Sequence, residues 1–254
     1  MPGVLAHGTL VQRNEAIRST PSERCFAMTL STRNPALTHL LALAVVLGSS
    51  CRAVTSATEP PVYRSPFQLA FSPDGKLLAV SDHTAGSLVL LEADSGRVVE
   101  EAQLGGRPAG VVWSADGRFA YAADSAGNEI SQVSLSGQIV KRLTVGPRPV
   151  GLTRAGQRLI VANSAADSIS ILTREKQHRL PAGHVPYMLA ITPDDKLAVV
   201  GNRLPTGDAS DPTISATVTL LDLRLGNPTV YVRLPPNSTN VHGVAVSPDG
   251  RWAY

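Results

Sequence analysis

The chain has 254 residues, 43% of them hydrophobic but only 4% aromatic, with 21 glycines and 19 prolines. That mixture fits many short strands joined by tight turns and argues against a helical bundle. The formal charge of +3 comes largely from the four arginines and two glutamates of residues 1–50; residues 51–254 carry 19 basic and 18 acidic side chains, with no Lys/Arg-rich run to support nucleic-acid binding.

The first feature along the chain is an apolar run of nine, LLALAVVLG at 40–48. It is too short to span a bilayer as a helix and fits the core of a secretory signal. Reading from Met28, with Arg33 ahead of the run, gives a signal of ordinary proportions. Residues 1–27 then lie upstream of the true start, or else form an extended leader. Cys51 follows Gly48-Ser49-Ser50, with Leu47 one place further upstream than a bacterial lipidation motif requires. A lipid anchor on Cys51 and ordinary cleavage near Thr55-Ser56-Ala57 both remain open. Either way the expectation is an exported protein, in the periplasm or on the outer cell surface. Residues 51–65 read as a tether. The only cysteines, Cys25 and Cys51, precede the rest of the pattern, and no Cys-x-x-Cys-His occurs, so this chain attaches no c-type haem itself.

From residue 66 the sequence repeats. Segments 66–107, 108–148, 149–185, 186–239 and a partial 240–254 open on Pro66, Pro108, Pro149, Pro186 and Asn240, the prolines being 42, 41 and 37 residues apart. A period near forty with four short apolar runs per repeat predicts an all-β fold, a β-propeller of four-stranded antiparallel blades. The expected A strands are FQLAF, AGVVW and MLAIT; the B strands LLAVSD, FAYAAD, LIVANS and LAVVGN; the C strands SLVLLEA, EISQVSL, SISILT and TVTLLDL. RVVEEAQL and QIVKRLTV begin a D series that weakens in later repeats. Two-residue Ser-Gly turns at 95–96 and 136–137 are expected between C and D. Ser72-Pro73-Asp74-Gly75 and its counterparts at 114–117, 192–195 and 247–250 close the A–B hairpin, Pro73 setting a type I corner and Gly75 taking the left-handed conformation. Asp195 replaces that glycine in the fourth repeat, and Asp tolerates the region. The fifth repeat stops inside its B strand, so the expectation is about four and a half blades of a larger ring, since an open arc leaves apolar faces and strand edges uncovered.

These segments resemble the YVTN family of seven-bladed propellers, whose repeat runs Pro-x-Gly-Val-Ala-x-Ser-Pro-Asp-Gly and then Tyr-Val-Thr-Asn. That second element corresponds to Tyr121-Ala122-Ala123-Asp124 and Ile160-Val161-Ala162-Asn163. The Gly-Asn-Arg-Leu-Pro stretch at 201–205 and Val-His-Gly-Val at 241–244 resemble a subgroup that works beside cytochrome c peroxidase-like di-haem domains. That resemblance implies a redox partner whose c-type haem lies in a downstream domain or another chain.

Candidate site residues fall on one face, where D–A connections and B–C loops rim the channel. Arg64, Arg107, Arg148 and His184 stand one or two places before the blade-opening prolines; pseudo-symmetry would set them round the channel mouth, where they suit a carboxylate, a phosphate or an acidic partner. Solvated loop arginines are the plainer reading. His83, His184 and His242 share that face, but without a local motif such as His-Glu-x-x-His they read as separate surface histidines before they read as a metal site. The fourth repeat carries an excess at 203–216, expected to cap the channel or meet a partner. Asp208 and Asp211 within it are a weak calcium pattern. There is no nucleophile elbow, phosphate loop or carboxylate pair, so no catalytic residue is assigned. The leading expectation is a non-catalytic binding module engaging a protein partner or anionic ligand through the channel face. The alternative, a lactonase-like hydrolase, needs His184, His242 and an arginine to converge with an acid.

Overall fold

The computed structural model describes residues 63–254, apart from 206, 209, 212, 225 and 226. The signal at 28–50, Cys51 and most of the tether lie outside the described residues. Among the described residues, sixteen strands form four antiparallel sheets, each in simple sequential order. The first blade is β1 (Pro66–Phe71), β2 (Leu77–Asp82), β3 (Ser87–Glu92) and β4 (Val98–Gln103). The second is β5 (Pro108–Trp113), β6 (Phe119–Asp124), β7 (Glu129–Ser134) and β8 (Ile139–Thr144). The third runs β9 (Pro149–Ala155), β10 (Arg158–Asn163), β11 (Ser168–Leu172) and β12 (Gln177–Pro181); the fourth β13 (Pro186–Ile191), β14 (Leu197–Asn202), β15 (Thr217–Asp222) and β16 (Asn227–Arg233). A bridge between Val246 and Ala253 begins the hairpin of a fifth. The β-propeller expected from the period is the fold observed.

Inner strands β1, β5, β9 and β13 pack side by side in chain order. Blade faces alternate as a pleat requires. In the first inter-blade layer, Ala79, Leu88, Leu90 and Ala102 of one blade meet Val111, Trp113, Ala120, Ala122 and Val133 of the next. Polar ties cross the same seam: the Trp113 indole donates to the Ala70 carbonyl (2.9 Å) and the Ser81 hydroxyl to that of Ala109 (2.6 Å). The first blade carries Leu69 and Phe71 at the positions Val111 and Trp113 hold in the second, and there they are 56% and 61% exposed. No helix among the described residues is long and apolar enough to cross a membrane.

The repeated A–B turn is a self-contained hydrogen-bond unit. The Ser72 hydroxyl donates to Asp74 Oδ1 (2.6 Å) and accepts the Leu77 amide (2.9 Å), while the Gly75 amide returns to the Ser72 carbonyl (2.9 Å). Ser114–Asp116, Thr192–Asp194 and Ser247–Asp249 repeat the hydroxyl–carboxylate bond. Gly75 has φ 72°, and Asp195 takes the same left-handed state at 57°. The C–D connections depart from expectation. Ser134 and Gln138 close a loop of three residues around Gly137, and Glu92 and Arg97 close one of four around Gly96. Strands β3 and β4, and β7 and β8, shift register beside these loops, so the bulge absorbs residues that a two-residue turn would not hold.

The turn carboxylates make an acid-lability prediction. Hydroxyl and amide donors hold Asp74, Asp116 and Asp249 below the ordinary carboxylate range, and the Thr192 hydroxyl together with the Lys196 ammonium and amide holds Asp194 at about 2. A depressed native pKa contributes stability that is complete above the unfolded value of about 3.9 and disappears as pH falls through the folded value. The urea midpoint is therefore expected to fall between pH 4 and pH 2, and to fall less when all four aspartates are replaced by asparagine. An equal fall in both proteins would assign the acid sensitivity elsewhere.

Candidate functional site at the channel face

One residue type organises this face, and the repeat pattern alone did not single it out: the Asp or Asn ending each B strand. Asp82 Oδ1 accepts the amides of Ser65 (2.9 Å) and Ala85 (2.9 Å), so a single carboxylate ties the blade-opening segment to the B–C loop. Burial works to raise the Asp82 pKa, but the Ala85, Ser65 and Thr84 amides and the Arg64 guanidinium outweigh it and hold it low. The Asp124 carboxylate likewise accepts two amides, those of Arg107 and Ala126, at 2.8 and 3.0 Å. In the third and fourth blades the residue is asparagine, and its amide instead donates inward: Asn163 to Ser168 and Ser170, Asn202 to Thr217 and Thr219. The connection amides then turn to the B–C loop, Arg148 N–H to Asn128 Oδ1 and Val185 N–H to Asp167 Oδ1 (both 2.8 Å). The recurrence of Asp, Asp, Asn and Asn at 82, 124, 163 and 202 was the available signal.

That bonding divides the basic residues. Ser65, Arg107, Arg148 and Val185 are the equivalent positions, their carbonyls accepting the amides of His83, Ser125, Ser164 and Arg203. Arg64 and His184 stand one place earlier, so the set of four is two pairs rather than a symmetric ring. Arg64 is neutralised, with Glu101 at 2.7 Å and Asp82 at 3.6 Å. His184 pairs with Asp167 at 3.0 Å. The side chains of Arg107 and Arg148 are exposed and have no polar partner among the described residues.

His83 and His242 belong to a cluster that includes three residues outside the expected set. Phe67 stacks on His83 (5.7 Å between centroids) and meets Tyr187 at 6.3 Å; His242 approaches Tyr187 edge-on at 6.0 Å. The Arg203 guanidinium lies 5.0 Å over the Tyr187 ring and donates to Asn240 Oδ1 (2.8 Å). The cluster thus joins the first blade, the fourth blade and the segment entering the fifth. His83 Nδ1 is 3.2 Å from the Pro108 carbonyl, an acceptor only, so Nδ1 carries the hydrogen and Nε2 has no hydrogen-bond partner among the described residues. Among the described residues no three His, Cys, Asp or Glu side chains gather to hold a metal ion. The lactonase-like arrangement forms only in part: His242 and Arg203 share Tyr187, while His184 and Asp167 line a different cleft.

The extra length of the fourth repeat is its B–C loop, 203–216, against four-residue loops at 83–86, 125–128 and 164–167. It is stitched to the following connection by Ala216 N–H to Ser238 O (2.6 Å), Asn237 N–H to Ile214 O (3.0 Å) and Asn240 N–H to Arg203 O (2.9 Å). Asp208 and Asp211 accept from Ser210 and Thr213 within the loop.

The class these features define is the β-propeller. No protein-family model matches the sequence, and no curated protein matches it. Among solved structures, the chain is similar to Kuenenia stuttgartiensis hydrazine synthase, with TM-score 0.67 and 24% identity over 80% of this chain and 57% of that one. It is also similar to the β-propeller domain of Myceliophteria thermophila Cps50 (Swd1), with TM-score 0.57 and 14% identity over 75% and 64% of the two chains. A putative 6-phosphogluconolactonase from Bacteroides uniformis follows with TM-score 0.55 and 13% identity over 73% and 61%. The chain spans less than two thirds of the length of each, and at these identities the likeness is one of fold.

Proposed function

We propose that the protein is an exported, non-catalytic propeller module that holds a partner over the channel mouth. The observation that carries this reading is the clustering of Phe67, His83, Tyr187, Arg203 and His242 on the channel face from segments far apart in sequence. Aromatic rings and arginine are the side chains that supply most binding energy per residue at protein interfaces. The acids of the same face are otherwise engaged: Asp82 and Asp124 hold backbone amides, and Asp167 and Glu101 are ion-paired. Arg107 and Arg148 add unpaired positive charge, which favours a partner with an acidic surface or an anionic ligand. The resemblance to propellers found beside di-haem domains makes a c-type cytochrome or peroxidase domain the partner class we favour. The apolar run at 40–48 supports export, with Cys51 as the lipid-anchor position.

The test is to isolate the full chain from the envelope of cells that naturally express it and record the absorption spectrum before and after dithionite. A Soret band with reduced c-type α bands is expected, and is expected to disappear when Tyr187→Ala and Arg203→Ala are combined. A colourless preparation would overturn the redox partner. Hydrolysis of gluconolactone above the buffer rate, lost in His184→Ala, would overturn the non-catalytic reading.

A further inference from the structure

On this face a cleft of about 660 Å³ lies between the third and fourth blades and shares no residue with the aromatic cluster. Its volume is that of a small-molecule site. One wall carries the Asp167–His184 pair. The carboxylate accepts, so His184 Nδ1 carries the hydrogen and Nε2 has no partner among the described residues. Asp167 is itself fixed by the Val185 amide at 2.8 Å and a left-handed backbone, φ 46°. The other wall is β16, where Tyr231 and Arg233 are two residues apart and so share one face of the strand. Thr217 pairs in register with Arg233; its oxygen already accepts the Asn202 amide, so its hydroxyl hydrogen is free to donate. Pro205, in the long B–C loop, contributes to the border.

The lining favours donors. Arg233 and Thr217 donate, Tyr231 offers a ring that is about half exposed, and Asp167, the one lining carboxylate among the described residues, is already bonded to His184 and the Val185 amide. Asp211 of the long B–C loop, held low first by the Thr213 hydroxyl and amide, also senses the Arg233 charge, so an anion at Arg233 competes with that carboxylate. We infer that this cleft is a second ligand site, for a small organic anion in which a carboxylate or phosphate is joined to a planar ring. The guanidinium takes the anionic group in a forked pair of hydrogen bonds, the tyrosine covers the ring, and His184 Nε2 reads a further polar group. This inference does not rest on the channel-mouth reading, and either can fail alone.

The probes are benzoate and phenyl phosphate, titrated into the full chain by calorimetry with the ring-proton signals of His184 and Tyr231 followed by NMR. Benzyl alcohol and benzylamine serve as neutral and cationic counterparts. Saturable binding of at least one anion is expected, shifting both rings, with benzoate and phenyl phosphate separating the carboxylate from the phosphate preference. Arg233→Ala is expected to weaken it tenfold or more, and Arg233→Lys less. Arg97→Ala removes a charge from the opposite face and is expected to leave affinity within twofold. The inference is overturned if neither anion saturates, if benzyl alcohol binds as well as benzoate, or if Arg233→Ala stays within twofold of the parent protein.

Discussion

Gly151→Ala is expected to destabilise the protein by at least about 3 kcal/mol, the upper end of what overpacking costs. Gly151 sits in β9, where a Cβ would overlap the carbonyl oxygen of Tyr187 on β13 and lie 3.3 Å from the Ala162 Cβ. The obstacle is backbone, which cannot rotate away as a side-chain tip could, so the two inner strands must part. Gly110 meets the same obstruction one blade earlier, against the Val150 carbonyl and the Leu152 amide. Gly243 holds the corresponding place at the start of the fifth repeat and has nothing within 4 Å of a built Cβ, so Gly243→Ala is expected to change stability by less than about 1 kcal/mol. Urea denaturation followed by far-UV circular dichroism and by the emission of buried Trp113 compares the three. Equal midpoints for the 151 and 243 variants would show that inter-blade spacing does not require glycine. Because Tyr187 is the residue displaced, Gly151→Ala should also disturb the aromatic cluster at the channel mouth.

The second large effect is expected from Asp124→Ala. The side chain is 3% exposed and accepts the amides of both Arg107 and Ala126. Removing it strands two donors where the blade connection meets the B–C loop, a loss of about 2–3 kcal/mol. Asp124→Asn keeps one acceptor oxygen and is expected to cost about 1 kcal/mol or less. The asparagines at 163 and 202 show that the amide side chain fits this position in a blade. If alanine and asparagine lowered the urea midpoint equally, the carboxylate would be filling space and the bonding argument would be lost. The same pair of variants bears on function, since a loosened Arg107 connection would change the channel rim without touching the aromatic cluster.

Blade architecture was legible in the sequence because its causes are local. Each apolar run has the length of a strand, each Ser-x-Asp-Gly carries its own hydrogen bonds, and each proline marks a blade opening. The Ser-Gly turns were misjudged by one or two residues because loop length there depends on a bulge in the neighbouring ladder, which pairing decides. The face on which candidate residues would gather also followed from strand order alone. Which of them meet did not. Arg64 was expected to serve a ligand but is ion-paired with Glu101 and Asp82, whereas His184 is tied to Asp167 through Nδ1 alone. Phe67, Tyr187 and Arg203 carry no signal in the sequence, because no local spacing relates a residue of the first blade to one of the fourth.

The sequence by itself determined a β-propeller built from a repeat of about forty residues, since period, turn chemistry and strand length are properties of neighbours along the chain. It also carried the glycines of Pro-x-Gly and the Asp or Asn closing each B strand, though their reasons were not visible in one dimension. Tertiary structure decided those reasons, and with them the site. Curving the blades round a channel brings inner strands into backbone contact, which is why Gly110 and Gly151 carry no side chain. The same curvature sets His83 and His242, 159 positions apart in the chain, against the Phe67–Tyr187 pair, a proximity fixed by the closing angle of successive blades.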